Sequence, residues 1–352
     1  MALRLPYTWS EDCLGHDPGG EVWVGVRTPG TEVPARAERI RAALRAAGAP
    51  EVEATPHGDE PLLAVHDADL LAFLRTIWSD WESAGLPEDP GQDRVVPYVF
   101  AHRGLTGGRA PARPAAVSAR PGLYAYDTMT LVGPGTWEAA RGAVDAALTA
   151  VELVVAGAPL AYACCRPPGH HALRACFGGS CYLNNAATAA AELGRLIGGP
   201  IAVVDVDAHH GNGTQEIFYE RADVRTTSVH VDPGMGWFPH FAGFAGETGR
   251  REGAGANLNL PVAPGTGDDG WLAAVRRAAE FSAGAHALVV ALGVDAAADD
   301  PESPLRVSAA GYRETGRILA GLGLPTVVVQ EGGYDLATLG PLVVETLAGL
   351  EE

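Results

Sequence analysis

Two carboxylates and two imidazoles fall within six residues, at Asp205, Asp207, His209 and His210, directly after the apolar run Ile201-Ala202-Val203-Val204. Asp207 and His209 stand at i and i+2, so one short segment can offer carboxylate oxygen and imidazole nitrogen to a single cation. That mixed donor set suits zinc and its neighbours. The plain alternative is a pair of helix-capping aspartates followed by surface histidines. The run before them has no polar alternation, as expected of a strand covered on both faces in a parallel α/β sheet. In such sheets the working residues lie beyond the carboxyl ends of the strands.

Three further apolar runs end in chemistry. Residues 160–165 lead into Arg166-Pro167-Pro168-Gly169-His170-His171, Ala287–Leu292 into Gly293-Val294-Asp295, and 326–329 into Gln330-Glu331-Gly332-Gly333-Tyr334. Singly, Tyr334 reads as a surface tyrosine, the histidine pair as a polar loop, and Asp295 as a helix N-cap before Ala296-Ala297-Ala298. Four strand ends carrying Asp, His and Tyr make the joint reading the stronger one.

The elements that must position these residues alternate. Helical patterns cover 35–47, 68–84, 137–156, 184–197, 271–283, 309–322 and 337–350, and Leu70, Leu71, Phe73, Leu74 and Trp78 form a core stripe in the second. Strands alternating with helices predict an α/β fold, a three-layer α/β/α sandwich with a mostly parallel central sheet. The motif residues share one alternating pattern, so 1–352 is expected to be a single domain. Residues 86–132, rich in Pro, Gly and Arg, lack periodicity, and a stretch of that length is usually functional or an interaction element.

The motifs Arg166-Pro-Pro-Gly-His-His171, Cys181-Tyr-Leu-Asn-Asn185, 205–215, Ser228-Val-His-Val-Asp-Pro233, Gly293-Val-Asp295 and Glu331-Gly-Gly-Tyr334 together resemble the zinc-dependent deacetylases of the histone deacetylase superfamily. Within it the chain is most similar to the bacterial acetylpolyamine amidohydrolases, and the likeness runs from about residue 32 to the C-terminal helix. It implies an arginase/deacetylase-like fold and one zinc ion per chain held by Asp207, His209 and Asp295. It also implies proton transfer by His170 and His171, with Asp205 orienting His170 and Asn212 beside His171, and an oxyanion donor at Tyr334. Asn212 supplies a neutral hydrogen bond, so an imidazolium at His171 is the less stabilised of the two and His171 is assigned as main general base and acid. The resemblance places Gly179, Ser180, Phe238, Gly332 and Gly333 on the substrate passage, and a potassium ion at Asp205, Asp207, His209, Ser228 and Val229.

Departures from the family bear on substrate. The aromatic that usually precedes the Cys181 position is Ser180 here, while Phe238 stands on the other wall, so a one-sided, wider and more polar clamp is expected. The acidic residue that acetylpolyamine enzymes carry in the insertion falls within Val117-Ser118-Ala119-Arg120, which has no carboxylate; Glu88, Asp89 and Asp93 are the alternatives. The expected substrate is therefore a small N-acetylated amine, a metabolite or biosynthetic intermediate, with acetylpolyamine or acetyl-lysine as the alternatives. Arginase chemistry needs further acidic ligands, which Ala297 and Asp299 match poorly. A non-catalytic acyl-ligand sensor is the alternative from another class. The insertion predicts a homodimer by the same resemblance.

A formal charge of −18 over 352 residues disfavours nucleic acid as a partner. No apolar run approaches a membrane span and no signal pattern opens the chain, so a cytoplasmic enzyme is expected. The five cysteines, Cys13, Cys164, Cys165, Cys176 and Cys181, form no paired metal motif and no evident disulfide framework. Adjacent Cys164 and Cys165 leave a redox-sensitive pair as the alternative to plain packing.

Overall fold

The computed structural model describes residues 2–352. Its strands are β1 (Tyr7–Trp9), β2 (Glu21–Trp23), β3 (Val26–Thr28), β4 (Glu51–Glu53), β5 (Leu160–Ala163), β6 (Ile201–Asp205), β7 (Val224–Val231), β8 (Asn257–Val262), β9 (Ala287–Leu292) and β10 (Thr326–Gln330). Eight of them form one sheet in the order β4-β1-β5-β10-β9-β6-β7-β8, and every neighbouring pair is parallel. β2 and β3 pair separately as an antiparallel hairpin.

The four central strands β5, β10, β9 and β6 are buried at every position, because helices cover both faces. Side chains of a strand alternate between faces, and the core divides accordingly. Ala202, Val204, Leu288, Val290 and Val328 pack with Ile40, Leu44, Trp271, Tyr312 and Val343 from helices Ala35–Ala46, Asp268–Phe281, Ala309–Ala320 and Leu339–Leu350. Ile201, Val203, Val289, Ala291, Val327 and Val329 face Ala147, Val151, Ala186, Ala190 and Leu193 from helices Thr136–Val155 and Asn185–Ile197. The result is the expected three-layer sandwich, with a sheet that is wholly parallel.

The helix predicted over 271–283 starts at Asp268, since Asp268 and Asp269 suit the positive end of a first turn. β1 and β4 have three residues each, too few to show a period. β8 carries Asn257 and Asn259, a residue type depleted in strands, and the helix Asn212–Phe218 starts inside a motif read for its chemistry.

The 86–132 segment is partly structured. It holds the short helix Arg103–Thr106, a 3-10 stretch over Val117–Leu123 and a bridge between Val95 and Val132. Val95, Ala125 and Val132 share a core cluster with Leu70, Phe73, Leu74, Ile77 and Trp81 of helix Ala68–Ser83, against which Trp78 packs only partly buried. All five cysteines are free, and Cys164 and Cys165 are buried. Burial pushes both thiols up, which removes the thiolate that a redox pair requires.

Candidate active site

β5, β10, β9 and β6 are neighbours in the sheet, so the four chemistry-bearing loops leave its carboxyl edge side by side. Asp207 and His209 follow β6, and Asp295 follows β9. His209 Nδ1 lies 3.0 Å from Asp295 Oδ2 and 3.3 Å from Asp207 Oδ1, and one ligand atom from each residue falls within 4.8 Å of the others. Backbone amides fix the carboxylates: Ala208 N donates to Asp295 Oδ1 (2.8 Å), His209 N to Asp207 Oδ1 (2.8 Å) and Gly332 N to Asp207 Oδ2 (2.7 Å). A Cβ on Gly332 would lie 2.5 Å from both Asp207 Oδ2 and Asp295 Oδ2, so only glycine lets the Tyr334 loop approach this closely. Burial and the adjacent Asp207 push Asp295 up to about 7. Two buried carboxylates against one imidazole nitrogen are the donor set a divalent cation satisfies, and three protein donors leave positions free for reactants.

The histidine pair follows β5, with ring centroids 4.0 Å apart. His170 Nδ1 meets Asp205 Oδ2 at 2.9 Å and His171 Nδ1 meets Asn212 Oδ1 at 2.6 Å. Burial opposes charge on His170, but Asp205 and Asp207 outweigh it and push the ring up to about 10. His171 has no such carboxylate. Burial, with the neighbouring His170 and His209, holds it well below the usual histidine range. The two rings thus differ in partner: the carboxylate on His170 favours its charged form, whereas the amide oxygen on His171 leaves that ring without a countercharge on Nδ1.

Residues to which the sequence reading gave no role hold this arrangement. Glu331 Oε2 accepts from Gly169 N (2.6 Å) and His170 N (3.0 Å), joining the histidine loop to the tyrosine loop. Arg36 donates to Gly333 O (2.6 Å) and Glu331 O (2.7 Å), and its Cζ sits 4.5 Å from the Tyr334 ring centroid. Buried Glu32 pairs with both Arg36 and Arg166. Asp300 Oδ2 accepts from Tyr334 N (2.7 Å) and Asp335 N (3.2 Å). Glu32 and Arg36, spaced i and i+4 at a helix start, left a readable trace; Asp300 left none.

The residues named for a monovalent ion lie on adjacent strands, Asp205 standing opposite Ser228 in the β6–β7 register, with the Ser228 hydroxyl 2.8 Å from His230 Nδ1. Of the alternatives for an acidic anchor in the insertion, Asp93 is paired with Arg27, and Arg120 turns to Asp80.

A second aromatic side chain lies close to Phe238. Phe238 stands edge-on to His171 at 4.9 Å and 89°, and Tyr126, from the end of the insertion, lies nearly parallel to Phe238 with centroids 6.5 Å apart at 19°. An aromatic that the sequence order puts far from position 180 faces Phe238 because Gly178 and Gly179 bring the 177–180 turn against the insertion. A Cβ on Gly178 would lie 2.4 Å from Tyr126 Cζ.

A parallel α/β sheet whose carboxyl edge gathers an Asp-His-Asp trio, a polarised histidine pair and a tyrosine loop defines the class: an α/β enzyme with the donor set of a metal-dependent hydrolase. The chain belongs to the histone deacetylase family, its residues 30–350 matching the histone deacetylase domain. It is 42% identical over 347 residues to the acetylpolyamine amidohydrolase of Mycoplana ramosa, covering 97% of this chain and 98% of that one. It is 40% identical to acetylpolyamine amidohydrolase 1 of Pseudomonas aeruginosa, over 97% of this chain and 98% of the relative. The crystal structure of the acetylpolyamine aminohydrolase from Burkholderia pseudomallei superposes with a TM-score of 0.91 at 39% identity, over 98% of both chains.

Proposed function

We propose that this chain is a zinc-dependent amidohydrolase that removes an acetyl or short acyl group from a small N-acylated amine. The observation that carries the reading is geometric: His170 on the Asp205 carboxylate and His171 on the Asn212 amide stand side by side next to the Asp207, His209 and Asp295 trio. Those three residues would hold zinc, and the chemistry the ion supplies when bound is polarisation of the acyl carbonyl and a lowered pKa for water. His171, neutral and with its Nδ1 side directed to Asn212, takes the proton of the attacking water and returns it to the departing amine nitrogen. His170, fixed on Asp205, stays protonated and offsets the negative charge of Asp207 and of the tetrahedral oxygen. The Tyr334 hydroxyl, kept protonated by burial, donates to that oxygen.

The amine side is where a second reading has support. Glu21 on β2 lines the same narrow crevice as Ser180 and Met129, and burial, with Glu302 and Asp127 nearby, pushes its carboxyl up to about 7. A half-buried carboxylate among others is placed to receive a cationic amine, which favours an acetylated di- or polyamine over a neutral amide. Glu21→Gln is expected to raise KM for acetylputrescine about tenfold while kcat moves less than about twofold, the loss being one charge-assisted hydrogen bond of roughly 1.5 kcal/mol. In the unaltered enzyme affinity should rise as pH passes upward through about 7, where Glu21 ionises, and this dependence should vanish in the variant. Unchanged KM and an unchanged pH profile would remove Glu21 from substrate binding.

Asp205, Asp207, His209, Ser228 and Val229 hold a potassium ion through carbonyl and side-chain oxygens. The chain works as one catalytic domain in a reducing cytoplasm, consistent with its five free cysteines. No helix among the described residues is long and apolar enough to cross a membrane. It pairs as a homodimer through the exposed apolar residues Tyr98 and Leu105 of the insertion and Trp23 and Val24 of the hairpin, 60–78% exposed; light scattering that gives a monomer at micromolar concentration excludes that contact. Turnover by zinc-loaded protein across acetylated polyamines, acetyl-lysine peptides and small neutral N-acetyl amines tests the whole proposal. Hydrolysis of a member of the panel supports it, and binding without hydrolysis anywhere in the panel favours a sensor instead.

A further inference from the structure

We propose that Tyr126 is a specificity-determining residue, the second wall of an aromatic slot through which the amine chain of the substrate runs, taking from the insertion the place that Ser180 leaves empty. The inference rests on the deacetylase reading and deepens it.

Phe238 stands edge-on over His171, so a chain attached to an acyl group at the histidine pair leaves along the Phe238 face. Tyr126 lies across from that face, 6.5 Å between centroids and 19° from parallel. An aliphatic chain in contact with both rings needs about 3.5–4.0 Å on each side. The slot therefore fills with a single polymethylene chain after opening by roughly an ångström, and it excludes a branched or cyclic one.

The wall is built in place. Tyr126 N donates to Phe177 O (3.1 Å), and its hydroxyl donates to His171 O (3.1 Å). Asp127 Oδ2 accepts from Gly179 N (2.6 Å) and Oδ1 from Met129 N (3.0 Å) and Thr130 N (2.9 Å). Ser180 N donates to Thr130 Oγ1 (2.9 Å). The 126–130 segment is stitched to the 177–180 turn on both sides of the ring, and this fixes a side chain from the insertion at the mouth of the site. Ser180 also lines the crevice that contains Glu21.

Chain-length dependence separates a wall from a mere packing residue. Wild-type protein, Tyr126→Ala and Tyr126→Phe are assayed on N-acetyl-α,ω-diaminoalkanes of two to five carbons and on the matching neutral N-acetylalkylamines. The wild-type kcat/KM rises with chain length. In Tyr126→Ala the rise flattens, with at least a tenfold loss on the five-carbon substrate and less than twofold on the two-carbon one. Tyr126→Phe keeps the slope, since the ring is the wall. Tyr126→Leu, which retains apolar volume on Gly178, carries the same comparison if the alanine variant does not fold. A loss of equal size at every length, or a slope that survives removal of the ring, overturns the wall while leaving the deacetylase reading intact. Wild-type protein inert on both series overturns the reading itself.

Discussion

Asp295→Asn is expected to lose both zinc and turnover while keeping its fold. The amide retains an oxygen to accept from Ala208 N, which Asp295 Oδ1 now holds at 2.8 Å, so the loop after β9 has no reason to move. What disappears is the second carboxylate against His209. Structural zinc sites with four protein ligands are worth about 10–16 kcal/mol, or about 3 kcal/mol per ligand, so loss of one of the three ligands here should lower affinity on the order of 100-fold. Turnover at submicromolar zinc should fall further, because the remaining neutral donor also changes the charge at the reaction centre. Metal analysis after dialysis and an assay in buffered zinc measure the two losses separately. In chelator the variant should melt no lower than the wild type, because one of two like charges in a buried site is gone. A variant that retains stoichiometric zinc and activity after dialysis would sink the assignment of the trio.

Much of this site was legible because chemistry followed continuous apolar runs. The apolar runs 201–204, 287–292 and 326–329 read as buried strands, and a parallel sheet leaves its useful residues beyond the carboxyl ends. The order in which those strands lie in the sheet is a different matter. β5, β10, β9 and β6 stand side by side, and it is this adjacency that lets His170, Glu331, Asp295 and Asp207 meet; periodicity along a chain carries no information about it. The aperiodic insertion hid Tyr126 for a related reason. Its position depends on Asp127 bonding to the 177–180 turn, a contact between segments some fifty residues apart, and Phe238, the ring it lies near, is more distant still along the chain. Glu21 was equally silent, lying in a three-residue strand, its carboxyl acquiring its character from burial and from the charge of Glu302.

Tyr334→Phe should cost about 10²–10³-fold in kcat, the range for removing one donor from an oxyanion site, with KM changed by no more than a few-fold. The ring has little freedom to relocate. Asp300 holds the backbone amides of Tyr334 and Asp335, and Arg36 lies over the aromatic face while donating to the carbonyls on either side of Gly332. Phenylalanine therefore occupies the same place and deletes only the hydroxyl. An interaction made mainly in the transition state appears in kcat and kcat/KM together, whereas one that binds substrate appears in KM. Burial raises the Tyr334 hydroxyl well above its ordinary range, so it is a donor throughout neutral and mildly alkaline pH and adds no limb to the activity profile there. The same variant separates an enzyme from a sensor. A protein that merely binds acylated amines has no oxyanion to stabilise, and its ligand affinity would pass through the substitution unchanged with no turnover to lose. A kcat that stays within a factor of three of wild type would show that the oxyanion is held by other groups and that the tyrosine loop serves the site only by covering it.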